Sequence, residues 1–211
     1  MTGVISGKEG ALLRIKESLN RSTDRYLIGI VGKPGAGKST LSAYLLEELH
    51  SSEVTVVPMD GYHLSNAVLQ ELGRADRKGA PDTFDVAGFA SLLQRIRREK
   101  SVDVYYPVFD RSIEESIAAQ GVVTKETKVV IVEGNYLLHD SGGWEVIAEL
   151  LDELWFIDVD DAKRLERLIA RHIAYGKSPV DAQSWSRGSD EVNARTIATG
   201  RSRAHAVIAL D

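Results

Sequence analysis

The chain has 211 residues, 27% of them charged, with a formal net charge of −5 and no cysteine. That length fits one α/β domain with a sizeable core and is short for two, while the negative total repels nucleic acid and the missing thiols exclude a disulfide framework or a thiolate metal site. No run of 18 apolar residues occurs and Met1-Thr2-Gly3-Val4-Ile5-Ser6 does not read as a secretory leader, so a cytoplasmic protein with no nucleic-acid or membrane partner is expected.

In chain order, Lys8 to Ser22 carries Ala11, Leu12, Ile15 and Leu19 at helical spacing and is given no chemistry. Tyr26-Leu27-Ile28-Gly29-Ile30-Val31 reads as a buried strand. It empties into Gly32-Lys33-Pro34-Gly35-Ala36-Gly37-Lys38-Ser39, the G-x-x-x-x-G-K-S spacing of a phosphate-binding loop, followed by a helix opening near Thr40. Glycines let successive backbone N–H groups turn inward around a polyphosphate. Lys38 supplies a point charge for β- and γ-phosphates, the Ser39 hydroxyl suits Mg²⁺, and the helix dipole faces the same anion. The helix is expected to fade near His50-Ser51-Ser52.

Val54-Thr55-Val56-Val57-Pro58-Met59 is a second strand, and it runs into Asp60-Gly61-Tyr62-His63. Ligands of parallel sheets lie beyond the carboxyl ends of the strands, so Asp60 there can take the proton of a hydroxyl or help hold Mg²⁺; a turn-forming Asp-Gly pair is the bland alternative. Gly73 to Asp85 is a polar loop with Lys78-Gly79-Ala80-Pro81-Asp82-Thr83-Phe84-Asp85, long enough for a functional cover. Asp85 caps a helix from Val86 to about Arg98, whose basic end at Arg95, Arg97, Arg98 and Lys100 reads as solvated. Residues 102–111 and 121–124 read as a side hairpin whose Tyr, Phe, Asp and Arg either line an acceptor pocket or are ordinary strand residues.

Lys128 to Glu133 is a third main strand ending in an acid, where a Walker B carboxylate would orient Mg²⁺ or its waters. Leu154 to Val159 is the fourth. After the cap Asp160-Asp161, Arg164, Arg167 and Arg171 fall at i, i+3 and i+7 on one helix face, either as an exposed row or as a lid closing over phosphate. Gly176-Lys177-Ser178-Pro179 breaks that helix, a second carries Trp185, Asp190, Asn193 and Arg195, and Ala206 to Ala209 closes the sheet. No internal repeat or low-complexity linker interrupts a single domain over 1–211, with the hairpin at about 102–126 and the lid at about 162–200.

Gly32 to Ser39, Asp60-Gly61-Tyr62, Lys78 to Asp85, Pro107-Val108-Phe109-Asp110, Glu133-Gly134 and the Arg-rich helix, in this order, resemble the P-loop kinase superfamily of phosphoribulokinase, uridine kinase and type I pantothenate kinase. Val132 to Leu138 is similar to its short bacterial branch, labelled nucleoside/nucleotide kinase or fructose transport system kinase. The resemblance implies a three-layer α/β P-loop NTPase fold, with a parallel five-stranded sheet ordered 2-3-1-4-5, a β-hairpin insertion and an Arg-bearing lid. It implies Mg-ATP as donor, held by Gly32 to Thr40, and a small-molecule hydroxyl as acceptor. Asp60 takes the base role, Lys38 and Ser39 the phosphate and metal roles, Glu133 a metal-assisting role, and Arg167 and Arg171 the lid roles. Tyr62, Lys78, Phe109, Arg111, Tyr136 and Asn193 border the acceptor, with His63 and Asn135 beside them in sequence.

Departures narrow the acceptor. Uridine kinases carry a ribose-holding acid where this chain has Gly79, and a downstream His where it has, roughly, Glu114. Type I pantothenate kinases share Lys-Gly-x-Pro but are considerably longer. The expected activity is ATP-dependent phosphoryl transfer to a sugar, pantothenate-like or nucleoside hydroxyl; the alternative is a nucleotide-dependent switch or regulatory subunit with no metabolite acceptor. No Asn-Lys-x-Asp run reads guanine and no Leu-Ser-Gly-Gly-Gln marks a transporter ATPase. The acceptor's identity stays open, as does a homodimeric assembly.

Overall fold

The computed structural model describes residues 3–21, 24–49 and 52–210. Ser22, His50 and Ser51, where two helices were expected to end, lie outside them.

Strand β1 (Gly3–Ser6) leads into helix α1 (Gly7–Arg21), and β2 (Tyr26–Val31) runs through the phosphate-loop sequence into α2 (Lys38–Leu49). After β3 (Val54–Pro58) a single 3₁₀ turn, Met59–Tyr62, precedes α3 (Asn66–Glu71) and α4 (Val86–Arg98). The hairpin β4 (Val104–Asp110) and β5 (Glu115–Val123) follows, then β6 (Val129–Gly134), α5 (Glu145–Glu149) and β7 (Glu153–Asp158). Helices α6 (Asp161–Ala174), α7 (Pro179–Arg187) and α8 (Ser189–Ala198) precede the last strand, β8 (Ala206–Ala209).

Alternation along the central strands makes the three layers. Leu27 and Val31 of β2, Val130 and Val132 of β6, and Leu154 and Phe156 of β7 point into a core closed by Phe89, Leu93 and Ile96 of α4, Ile147 of α5 and Ile197 of α8. Their neighbours Ile28, Ile30, Ile131, Trp155 and Ile157 point the other way, onto Ala11 and Ile15 of α1 and Leu41 and Leu45 of α2. Both faces of a parallel sheet are covered, which is why these strands read as unbroken apolar runs.

All neighbours in the main sheet are parallel, and the order is β1-β8-β7-β2-β6-β3. The expectation of five strands ordered 2-3-1-4-5 is corrected by β1, a sixth strand on the edge beside β8. Of its four residues only Ile5 is buried, so no apolar run announces it. The side hairpin is antiparallel as expected, but its second strand starts at Glu115 rather than near Gly121, because Ile117 to Gln120 is exposed throughout and offers no alternation of apolar and polar residues to read. Gly188 divides the expected second lid helix into α7 and α8.

One glycine sets the height of the hairpin over the sheet. A Cβ on Gly61 would lie 2.0 Å from the carbonyl oxygen of Pro107 and 2.7 Å from its carbonyl carbon, both backbone atoms that have little room to yield. Gly61→Ala is therefore expected to cost about 2–3 kcal/mol by overpacking, measured by denaturant unfolding. A loss below about 0.5 kcal/mol, the ordinary level for an uncritical surface change, would show that hairpin and turn separate easily.

Candidate active site

The phosphate loop leaves β2 at Gly32, and the chain re-enters a helix at Lys38, two residues earlier than expected. Gly35 (φ +81°) and Gly37 (φ +94°) take the left-handed angles that turn N–H groups inward. Gly35 is doubly constrained, since a Cβ there would sit 2.6 Å from the carbonyl oxygen of Arg164 on α6. Lys38 Nζ lies across the loop and donates to the carbonyl oxygens of Gly32 at 2.9 Å and Lys33 at 3.4 Å. Among the described residues no carboxylate reaches it at ion-pair distance. Burial pushes its ammonium down to about 8, opposed by Glu133 and Asp60 and reinforced by Arg171 and Arg111. A partly buried cation hydrogen-bonded to carbonyls, at a loop whose glycines turn amides inward, fits a polyphosphate.

Register brings the second feature to the loop. Ile30 of β2 and Pro58 of β3 both pair with Glu133 of β6, so these strands end level with one another. Ser39 Oγ donates to Glu133 Oε1 at 2.5 Å, giving two hard oxygen donors beside the loop, as suits an Mg²⁺ ion bound mainly through phosphates and water.

Asp60 sits one residue into the 3₁₀ turn that ends β3. Arg111 Nη2 donates to its Oδ2 at 2.8 Å, with both side chains about one-third exposed. The Asp60 carbonyl oxygen lies 2.7 Å from His63 Nδ1, which must therefore carry the proton and donate. The His63 ring lies 4.1 Å from that of Phe84 and 4.7 Å from that of Phe109, and burial lowers its pKa, keeping it neutral. Lys78 donates to Asn66 Oδ1 at 2.6 Å and to the Glu114 carbonyl at 2.5 Å, and it stands 5.1 Å from the centre of the Phe109 ring.

The Arg row of α6 divides. Arg164 is 2% exposed and donates to Asp161 Oδ1 at 2.8 Å, Glu191 Oε2 at 2.6 Å and the Pro34 carbonyl at 3.4 Å, so it anchors the helix against the loop instead of serving the lid. Arg167 and Arg171 line the cleft. Burial, then the neighbouring Arg111, lowers the Arg171 pKa, with Asp190 and Asp60 opposing.

The cleft is about 1140 Å³ and is bordered by Pro34, Gly35, Gly37 to Thr40, Asp60, His63, Lys78, Phe109, Arg111, Glu133, Asn135, Arg167, Arg171 and Asn193. Gly32, Lys33 and Ala36 belong to the loop behind this surface; the Lys33 side chain points away to Asp161 Oδ1 at 2.8 Å. Tyr62 and Tyr136, expected at the acceptor, are not on the cleft wall. Tyr62 packs on Phe89, with ring centroids 5.2 Å apart. Tyr136 is 1% exposed and its hydroxyl donates to the Gly79 carbonyl at 2.6 Å, which props the Lys78–Asp85 loop from beneath. Asn193 both faces the cleft and reaches the same carbonyl at 3.4 Å.

Several cleft residues carried no sequence signal for the site. His172, Tyr175 and Asp190 come from the lid helices, and His172 Nε2 lies 2.7 Å from Asp190 Oδ2. Lys8 and Glu9 arrive because β1 brings the start of α1 to the cleft, where Lys8 Nζ stands 4.6 Å over the ring of Tyr44 on α2. Trp185 and Asp190 were visible on their helix, but nothing in their spacing pointed to a cleft.

The model of the phosphoribulokinase / uridine kinase family matches residues 27–209. The chain is 33% identical over 180 residues to a candidate uridine kinase from Schizosaccharomyces pombe, covering 80% of this chain and 75% of that one. It is 31% identical over 188 residues to the uncharacterized protein YggC from Escherichia coli K12, covering 87% and 77% of the two chains. Among solved structures, a candidate fructose transport system kinase from Silicibacter sp. TM1040 superposes with a TM-score of 0.85 at 37% identity, over 95% of this chain and 98% of that one.

The depressed Lys38 ammonium has a signature in binding. A polyanion binds the protonated form and holds the proton on. In the empty protein that proton is lost near pH 8. Affinity for a non-hydrolysable ATP analogue is thus expected to be level below that pH and to fall about tenfold per pH unit above it. Lys38→Met should bind weakly with that slope removed. Calorimetric titrations between pH 7 and 10 that give a flat wild-type profile would contradict this account of Lys38.

Proposed function

The chain belongs to the phosphoribulokinase / uridine kinase family, and on that premise we propose that it is an ATP-dependent kinase that transfers the γ-phosphoryl group to a hydroxyl of a small metabolite. The observation that carries the reading is the convergence of Lys38, the Ser39–Glu133 pair, Asp60 and Arg171 on one cleft.

In this reading the loop amides from Gly35 to Ser39 and the Lys38 ammonium bind the polyphosphate of ATP. Ser39 and Glu133 hold Mg²⁺ or its waters, and the ion supplies charge neutralisation on the phosphates. Asp60 orients the acceptor hydroxyl and takes its proton; Oδ2 is engaged by Arg111, which leaves Oδ1 for that hydroxyl. Arg171, held half-buried beside Asp60, and Arg167 along the same helix face stabilise the negative charge of the moving phosphoryl. His63 fixes the Asp60 backbone through its carbonyl and, being neutral, does not compete for the proton. Lys78 to Asp85 and the lid helices form the walls that exclude water.

Asp60→Asn keeps the shape and removes the base. It is expected to lower kcat by about a hundredfold to ten-thousandfold, with the Kd for Mg-ATP changed by less than about threefold. The readout is the mass of compounds in a metabolite pool that gain one phosphate in the presence of Mg-ATP. ATP consumption that proceeds at one rate whatever alcohol is offered, and unchanged by Asp60→Asn, would favour a nucleotide switch instead.

A further inference from the structure

The cleft extends past the phosphate loop on the side away from Asp60. In the order β1-β8-β7-β2-β6-β3, the strands that lead to Glu133 and Asp60 lie on one side of β2, and β7, β8 and β1 lie on the other. All are parallel, so β8 and β1 also end at the edge where the loop opens. There Leu210 follows β8, and Lys8 and Glu9 follow β1; they border the cleft together with Thr40, Leu41 and Tyr44 of α2. The family match starts at residue 27, so Lys8 and Glu9 lie ahead of it.

The loop decides which part of a nucleotide reaches this end. With the γ-phosphoryl toward Glu133 and Asp60, a polyphosphate lying along the loop leads its nucleoside the other way, past α2 toward β8 and β1. Thr40 and Tyr44 are four residues apart and share one face of α2. Leu210 stands against the loop, where a Cβ on Gly37 would meet its Cδ1 at 3.7 Å. Trp185 carries Lys177 over its ring at 4.6 Å, and Lys177 follows Tyr175, which faces Arg111, so that pair belongs to the hairpin end.

The side chains suit a flat heteroaromatic ring. Lys8 Nζ stands 4.6 Å over the Tyr44 ring, and this pair with Leu41 and Leu210 makes a wall that is apolar apart from one cation. Glu9 Oε2 lies 3.3 Å from the place a Cβ on Gly7 would take, so the carboxylate folds back over the β1–α1 junction. Desolvation and Glu48, then Glu9, raise the Tyr44 pKa, which puts the Glu9 charge near that ring. Among the described residues neither Lys8 nor Glu9 forms an ion pair, which leaves a donor and an acceptor side by side at an apolar wall, the composition of a small-molecule subsite.

We infer that the β1–α1 junction and Tyr44 hold the base of the nucleotide, with the base against the Tyr44–Lys8 wall and its exocyclic amine donating to Glu9. This rests on the kinase reading above and adds to it the residues that choose the donor. A carboxylate at neutral pH accepts and does not donate, so it selects adenine through its N6 amine over a ring that lacks one.

The test uses the full chain and calorimetry with three Mg-bound ligands of equal charge that need no turnover. They are methyl diphosphate, ADP, and purine riboside diphosphate, which is ADP without the amine. The inference expects ADP to bind more tightly than either of the others by about tenfold or more, the value of one hydrogen bond to a charged group. Glu9→Ala should bring ADP and the amine-free diphosphate together. Lys8→Ala combined with Tyr44→Leu should bring ADP toward methyl diphosphate, and Tyr44→Phe should keep the wild-type value. Affinity for methyl diphosphate, unchanged throughout, reports an intact loop; should Tyr44→Leu disturb it, Glu9→Ala on an exposed side chain decides. An ADP preference that survives these variants, or ADP bound no more tightly than methyl diphosphate by the wild type, overturns the inference and spares the kinase reading. A chain that binds none of the three counts against both.

Discussion

The site depends on three strands ending at one level. Glu133 is paired in register with Ile30 on one side and Pro58 on the other, and because every neighbour in the sheet is parallel, the chain leaves β2, β6 and β3 toward the same edge. A slip of one residue in either pairing would turn the buried faces outward, exchanging residues such as Ile131 and Val132 between cores. Apolar packing on both faces thus fixes where the Lys38, Glu133 and Asp60 side chains emerge. Their mutual proximity follows from burial far from the cleft, not from their own attraction. The same packing holds Lys38 partly buried at the loop, so part of the cost of its charge is carried by the core and recovered when an anion binds.

A network of charges ties the loop to the helices above it. Lys33 and Arg164 share Asp161 Oδ1, each at 2.8 Å, and Arg164 continues to Glu191 on α8 and to the Pro34 carbonyl. Burying a guanidinium is expensive, and two carboxylates plus a carbonyl offset that cost without making the network a large source of stability. Its effect is geometric. It holds the start of α6 so close to the loop that residue 35 has room only for hydrogen, which joins the left-handed angle of Gly35 to tertiary packing.

The central strands, the phosphate loop, Asp60 and Glu133 were legible in the sequence because each is local: a short apolar run, a fixed spacing, an acid at a strand tip. The caps were legible for the same reason, and Asp85 and Asp160 accept from the first turns of α4 and α6 as their positions imply. What could not be read depends on distant pairing. Strand β1 has one buried residue and gains its structure only by lying along β8. Tyr62 and Tyr136 stand next to cleft residues in sequence, yet strand and turn geometry sends their rings into the core. The Arg row on α6 was a correct statement about a helix face, but periodicity cannot say which members of a face are sealed by Glu191 and which meet open space.

That division of one face has a mechanical consequence. From Arg164 to Arg171 is seven residues, about 10 Å of a stiff helix at 1.5 Å per residue. Anchoring Arg164 to the loop therefore fixes the reach of Arg171 toward Lys38 and Asp60. The far end of α6 is held differently: His172 bonds to Asp190 of α8, and Tyr175 faces Arg111 of the hairpin. The hairpin and the lid meet through a residue that is also paired with Asp60. Arg111 thus touches the carboxylate at the tip of β3 and the ring that follows α6 at once, whereas the start of α6 rests on the separate Arg164 anchor, so the two ends of this helix are held by different parts of the chain.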